Sequence, residues 1–149
     1  MRDLNKIKNI AKKIRKAFEE IEKKENDGFG GYGLGGYCVR AAAQLYLACK
    51  KAGIKVKIVE GVGHAFNEFD GYIIDITATQ FGKYPKVHIR KYKNRPPEFY
   101  QKISSHLSTK SLIETFWIKQ LEIENDEEIV SKYFPGKTGG QRRKRNVKT

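Results

Sequence analysis

Apolar residues return every three or four positions at the start of the chain. Leu4, Ile7, Ile10, Ala11, Ile14, Phe18 and Ile21 form one stripe, which predicts an amphipathic helix over residues 3 to 25. Its other face is basic early (Lys12, Lys13, Arg15, Lys16) and acidic late (Glu19, Glu20, Glu22), and a glycine-rich run, 28 to 36, ends it. A second helix is predicted to open at Cys38, with Ala42, Leu45, Tyr46 and Cys49 inward, and to stop at Gly53. Over 55 to 62 the pattern changes to alternation (Val56, Ile58, Val62), a strand signature. Residues 64 to 69 and 72 to 77 flank Asp70-Gly71, the strongest short hairpin signal, so two antiparallel strands are expected there. A further strand is expected over 87 to 92, before Pro96-Pro97 breaks the chain. Leu112, Ile113, Phe116 and Trp117 predict a helix over 109 to 121, and Asn125 with Glu128 reads as the capping box of a last short helix ending near Phe134. The pattern is that of one α+β domain, 1 to 135, and a tail, 136 to 149, without apolar periodicity that reads as disordered.

Charge adds a bias toward acidic partners. The chain of 149 residues carries 30 Lys and Arg against 17 Asp and Glu, a net +13. The tail holds Lys137, Arg142, Arg143, Lys144, Arg145 and Lys148 and no acid, yet the remainder is still strongly basic. Such a balance favours nucleic acid, an anionic surface or an acidic protein. The first residues lack a signal-peptide pattern and no apolar run is long enough to span a bilayer, so a cytoplasmic protein without a membrane span is expected. Two cysteines in such a setting are expected to be free thiols. On one helix Cys38 and Cys49 would stand about 16 Å apart, beyond disulfide reach.

The hairpin register brings candidate chemistry together. With Asp70-Gly71 as a two-residue loop, Phe69 pairs with Tyr72, Phe66 lies opposite Asp75 and His64 opposite Thr77. His64, Phe66, Ile73, Asp75 and Thr77 then share one face, with His64 and Asp75 as diagonal neighbours. Cys38 stands at a helix N-terminus, where the dipole favours a thiolate. Cys38, His64 and Asp75 therefore occur in the order that a thiol enzyme needs: nucleophile, base and orienting acid. Taken singly, each also has a packing explanation: a small buried cysteine, a structural histidine, an aspartate capping a turn. Cys49, His88 and His106 are read that way.

Gly36-Tyr37-Cys38, then Lys51-Ala52-Gly53-Ile54 leading into Lys55-Val56-Lys57-Ile58-Val59-Glu60-Gly61, then His64-Ala65-Phe66-Asn67-Glu68 and Tyr72-Ile73-Ile74-Asp75-Ile76-Thr77, resemble the transglutaminase-like branch of the papain-like cysteine enzymes. The resemblance covers roughly a third of the chain. It implies a central helix, opened by the cysteine and packed on an antiparallel sheet, with extra helices at both ends. It also implies acyl transfer through a thioester by Cys38, His64 and Asp75, with no cofactor and no metal, on a protein or peptide substrate. The run Asp75-Ile76-Thr77-Ala78-Thr79-Gln80-Phe81 is similar to bacterial toxin-type glutamine deamidases, which makes Gln80 the candidate for holding the substrate or oxyanion. Where papain-like proteases carry a glutamine before the cysteine this chain has glycines, Tyr32 and Leu34. Backbone N–H groups around Gly36, Tyr37 and Cys38 are the candidates for that position.

Deamidase, protease or amidase, and transglutaminase all remain open, since the acyl acceptor is not written in the sequence. The alternative is a nucleic-acid-binding basic protein on an inactive papain-like scaffold, with Arg142, Arg143, Lys144 and Arg145 as the phosphate contacts. A zinc site from Cys38, Cys49 and His64 fails because the cysteines lie about three helical turns apart. The glycine run is not a phosphate loop, lacking the Gly-Lys-Ser/Thr ending.

Overall fold

The computed structural model describes residues 2–26, 34–106, 108–116 and 118–135. The basic tail, most of the glycine run and the indole of Trp117 lie outside the described residues. Among the described residues the fold is mixed α+β, with four α-helices and a five-stranded antiparallel sheet.

Helix α1 (Arg2–Asn26) follows the first apolar stripe: Ile7, Ala11, Ile14, Ala17, Phe18 and Ile21 are fully buried. Arg15, expected on the polar face, is instead buried. Its guanidinium donates to Ile76 O at 2.8 Å and to Thr79 Oγ1 at 2.9 Å, and pairs with Glu19 at 3.0 Å. It thereby ties α1 to the chain that leaves the sheet after Asp75.

Helix α2 (Cys38–Lys51) buries Ala41, Ala42, Ala43, Leu45, Tyr46 and Cys49. Its end is fixed by backbone chemistry. Gly53 takes the left-handed conformation (φ 79°), its N–H donates to Lys50 O, and that of Ile54 donates to Cys49 O at 2.8 Å. This double bond pattern satisfies the last carbonyls and turns the buried Ile54 back onto the core.

The sheet runs β4-β3-β2-β1-β5, every pair antiparallel, with β1 (Lys57–Gly61), β2 (His64–Phe69), β3 (Tyr72–Asp75), β4 (His88–Lys91) and β5 (Ser104–His106). At the β2–β3 turn Asp70 (φ 50°) and Gly71 (φ 78°) are both left-handed, the geometry that matches the twist of a two-residue hairpin. The observed partners Phe69↔Tyr72, Glu68↔Ile73 and Asn67↔Ile74 give the register read from the sequence next to the turn, but the strand expected over 72 to 77 ends at Asp75, and Thr77 leads into a 3-10 turn instead of pairing with His64.

One sheet face, with Ile58, Ala65 and Ile74, packs against the helices in the main core. The other, with Val59, Phe66 and Ile73, is covered by Tyr100, Phe99 and Tyr92. These come from the connection between β4 and β5, strands at opposite edges, so the chain must cross the whole sheet to make it. A short 3-10 turn, Glu98–Tyr100, lies on this crossing. Gly61 marks its closest approach: a Cβ there would stand 2.1 Å from Phe99 O.

Two expectations are corrected. The helix expected over 109 to 121 ends earlier, as α3 (Thr109–Phe116). Lys119 is extended and its carbonyl accepts the amides of Glu122 and Ile123, which starts α4 (Gln120–Ser131). Asn125 and Glu128 therefore lie inside α4 and form no capping box. The short, polar β5 was not foreseen. Among the described residues no helix is long and apolar enough to cross a membrane.

Candidate active site

Cys38 begins α2, His64 begins β2 and Asp75 ends β3. Helix α2 runs alongside β2, and Asn67 fixes the alignment by donating its amide to Ala42 O at 3.1 Å and to Lys57 O at 3.2 Å. Cys38, one turn before Ala42, thus comes to the His64 end of the strand.

His64 is buried, and its Nε2 lies 2.7 Å from Asp75 Oδ2. The pairing makes Nε2 the protonated nitrogen in the neutral ring and leaves Nδ1 as the acceptor. Nδ1 is buried and makes no hydrogen bond of ordinary geometry. The Cys38 thiol is nonetheless near enough to raise the ring's proton affinity through hydrogen bonding and charge. Thiol and imidazole are therefore neighbours without a well-aligned bond, as a nucleophile and its base often are before substrate enters.

Four hydrogen bonds hold the Asp75 carboxylate. Oδ1 accepts the Thr77 amide at 2.8 Å and the Thr77 hydroxyl at 3.2 Å. Oδ2 accepts His64 and, at 2.7 Å, the Tyr100 hydroxyl. Burial opposes a charge on His64, but Asp75 and Cys38 outweigh it and lift the ring to about 9. Burial, together with Asp75, pushes the Tyr100 phenol far above the usual tyrosine range, so it stays a donor. Burial lowers His88, paired beside Asp75 on β4, with Arg90 and Lys93 acting against the pull of Asp75. Burial alone pushes the Cys49 thiol up to about 12. Cys38 is partly exposed, Cys49 is buried, and both are free thiols.

The four positions proposed for the oxyanion differ in what they offer. Gly36 is left-handed (φ 88°), a conformation suited to glycine at the entry to α2. Tyr37 is corrected: its N–H donates to Leu34 O at 3.1 Å, and its hydroxyl bonds Glu25 at 3.1 Å while its ring packs edge-on against Phe18. It anchors the start of α2 and has no amide to give. The Ala41 amide donates to Tyr37 O and no side chain caps α2, so its first-turn amides, that of Cys38 among them, have no side-chain cap. Gln80, on the 3-10 turn Ala78–Phe81, donates Nε2 to Thr77 O at 3.0 Å, which leaves its second amide hydrogen and its carbonyl oxygen for other partners. Arg142, Arg143, Lys144 and Arg145 lie outside the described residues.

Tyr100 was missed because nothing local in Pro97-Glu98-Phe99-Tyr100 says which strand the crossing meets; the double proline announced only a break. Phe81 and Phe99, stacked 4.0 Å apart and both turned toward the His64 ring, were missed for the same reason. Among the described residues no group of three His, Cys, Asp or Glu side chains is placed to hold a metal ion. Comparison of the chain with protein-family models, with curated proteins and with solved structures finds no match.

Proposed function

We propose that the chain is a thiol-dependent acyl-transfer enzyme acting on an amide, of the papain-like, transglutaminase-like type, with Cys38 as nucleophile, His64 as base and Asp75 as its orienting acid. The observation that carries this is the buried 2.7 Å pair of His64 Nε2 and Asp75 Oδ2, with the other ring nitrogen left for the Cys38 thiol.

In this reading the resting site is a thiolate–imidazolium pair, the Cys38 proton being held on His64 Nδ1, and the thiolate adds to the amide carbonyl carbon. The developing oxyanion is met by the Cys38 N–H at the positive end of α2. The intermediate collapses by breaking the C–N bond, and the imidazolium delivers its proton to the leaving nitrogen. A thioester on Cys38 remains. Water or an amine then adds, giving its proton to His64, and the thiolate leaves, which restores the thiolate–imidazolium pair. Asp75 keeps the ring in the required tautomer and stabilises its cation.

The test uses glutamine-containing peptides, with mass spectrometry for cleavage or deamidation and hydroxylamine as a trap for the thioester. The expected result is ammonia or a cleaved peptide, with hydroxamate when the trap is present, all abolished in Cys38→Ala. Products at the same rate in Cys38→Ala, or no product and no hydroxamate across a broad peptide set, would contradict it.

A further inference from the structure

We infer that Phe81 and Phe99 form a substrate shelf beside the proposed reactive pair, and that the amide acted on belongs to an acidic protein segment with a large apolar side chain next to the reacting residue. This rests on the reading of Cys38 and His64 given above.

Aromatic pairs normally serve to bury area, yet this one is open. Phe81 and Phe99 stack nearly parallel, 15° apart, and Phe81 remains 40% exposed. Phe81 also meets the His64 ring at right angles with centroids 4.8 Å apart, so the open ring is one side chain away from the imidazole. Tyr84 closes the far side, edge-on to Phe99. Two more apolar residues are exposed at the same end of β1. Val62, in the turn leading into His64, is 41% exposed, and Ile103, whose amide donates to Glu60 O, is 60% exposed. Exposed single apolar residues are common, but a stacked aromatic pair touching a buried, charge-paired histidine marks a place where a ligand completes the packing.

Charge specifies the occupant further. Between Asp75 and Glu98 the chain contains Lys83, Lys86, Arg90, Lys91, Lys93 and Arg95 and no acid, and all six are exposed. Lys86 is paired with Glu19, while Arg90 and Lys93 act on His88, which lies beside Asp75. Lys83 and Lys86, which follow Phe81 directly, thus give the site a basic flank, whereas Lys91 lies opposite Tyr72 at the hairpin end of the sheet with its ammonium over the Tyr72 ring. A peptide with an apolar side chain on the shelf and acidic residues beyond it fits both features, and basic clefts draw such partners in. Nucleic acid also matches basic and aromatic surface. The peptide is favoured because the shelf abuts a thiol–imidazole pair suited to amide chemistry and not to phosphate.

The experiment measures alkylation of Cys38 in the full chain by dipeptidyl chloromethyl ketones, read by mass spectrometry. Each dipeptidyl unit carries phenylalanine or alanine at either position before the reactive group and is extended at its amino end by a third residue, glutamate or lysine. The expected preference is roughly tenfold or more for phenylalanine over alanine, falling to near unity in Phe81→Ala. Glutamate is expected to be favoured over lysine, with the advantage reduced in Lys83→Glu and at high salt. The ratios are internal, so a general fall in reactivity of a variant cancels. Wild-type ratios near unity, with Cys38 still alkylated by iodoacetamide in a His64-dependent way, would overturn the shelf and leave the enzyme reading standing. Absence of a His64-activated thiol would overturn both. Protection of Cys38 by oligothymidylate at lower concentration than by a glutamate-rich, phenylalanine-containing peptide would assign the surface to nucleic acid and overturn the inference.

Discussion

Tyr100 donates its hydroxyl to the same oxygen of Asp75, Oδ2, that faces Nε2 of His64, and both distances are 2.7 Å. The phenol therefore shares the charge that would otherwise rest on His64 alone. Its removal in Tyr100→Phe leaves Oδ2 with one partner, strengthens the hold on the imidazolium and loosens the carboxylate. The expected result is a several-fold fall in the plateau rate of Cys38 alkylation, on the scale of one charged hydrogen bond, with the alkaline limb of its pH profile moved upward. A purely structural tyrosine would lower the melting temperature and leave that limb in place.

His64 also links pH to stability. Its folded value of about 9 lies above the ordinary 6.5. A raised basic group stabilises the fold fully below its unfolded value and loses that contribution as pH rises through the folded one. The unfolding free energy should therefore fall between about pH 6.5 and 9 by an amount on the order of a few kcal/mol, and that part of the fall should vanish in His64→Gln. Parallel pH curves for the two proteins would contradict the charged pair.

Arg15 should be one of the most costly polar side chains of α1 to lose. Its guanidinium satisfies Ile76 O and Thr79 Oγ1 just after the Asp75 strand. Arg15→Ala is expected to cost roughly 2–4 kcal/mol, since a buried carbonyl loses a charged donor. Arg15→Lys should recover only part of that, lacking the planar fork. Urea midpoints measure both.

Gly61→Ala tests the crossing over the sheet. The added carbon would meet Phe99 O at 2.1 Å, a backbone atom that cannot swing aside. A loss of at least about 2 kcal/mol is expected, together with the same rise of the alkaline limb as in Tyr100→Phe, because Phe99 and Tyr100 must move together. Val62→Ala, one residue away and exposed, should change stability by less than about 0.5 kcal/mol.

How much of this was legible depended on the range of each interaction. Asp70-Gly71 fixes a local turn with two left-handed residues, so the partnership of His64 and Asp75 followed from counting residues outward. The α1 stripe and the helix opened by Cys38 were legible for the same local reason. Arg15 was misplaced because its partners, Ile76 and Thr79, lie some sixty positions on, and helical periodicity carries no information about them. Tyr100 was invisible because a chain crossing from one sheet edge to the other sets its own register by packing, here at Gly61 and Phe66. Two helices were expected here, but the boundary between α3 and α4 was placed too late, at the Asn125 capping signal. What separates them is the extended backbone of Lys119, whose carbonyl starts the next helix.

The most direct test of the central claim is the pH dependence of iodoacetamide alkylation at Cys38, followed by mass spectrometry in wild type and His64→Ala, with buried Cys49 as the internal control. Rapid labelling of Cys38 well below pH 8.5, the ordinary range of a free thiol, with Cys49 inert and the rate collapsing in His64→Ala, is the predicted result. Slow labelling with an ordinary thiol profile, unchanged by His64→Ala, would contradict an assembled thiolate–imidazolium pair.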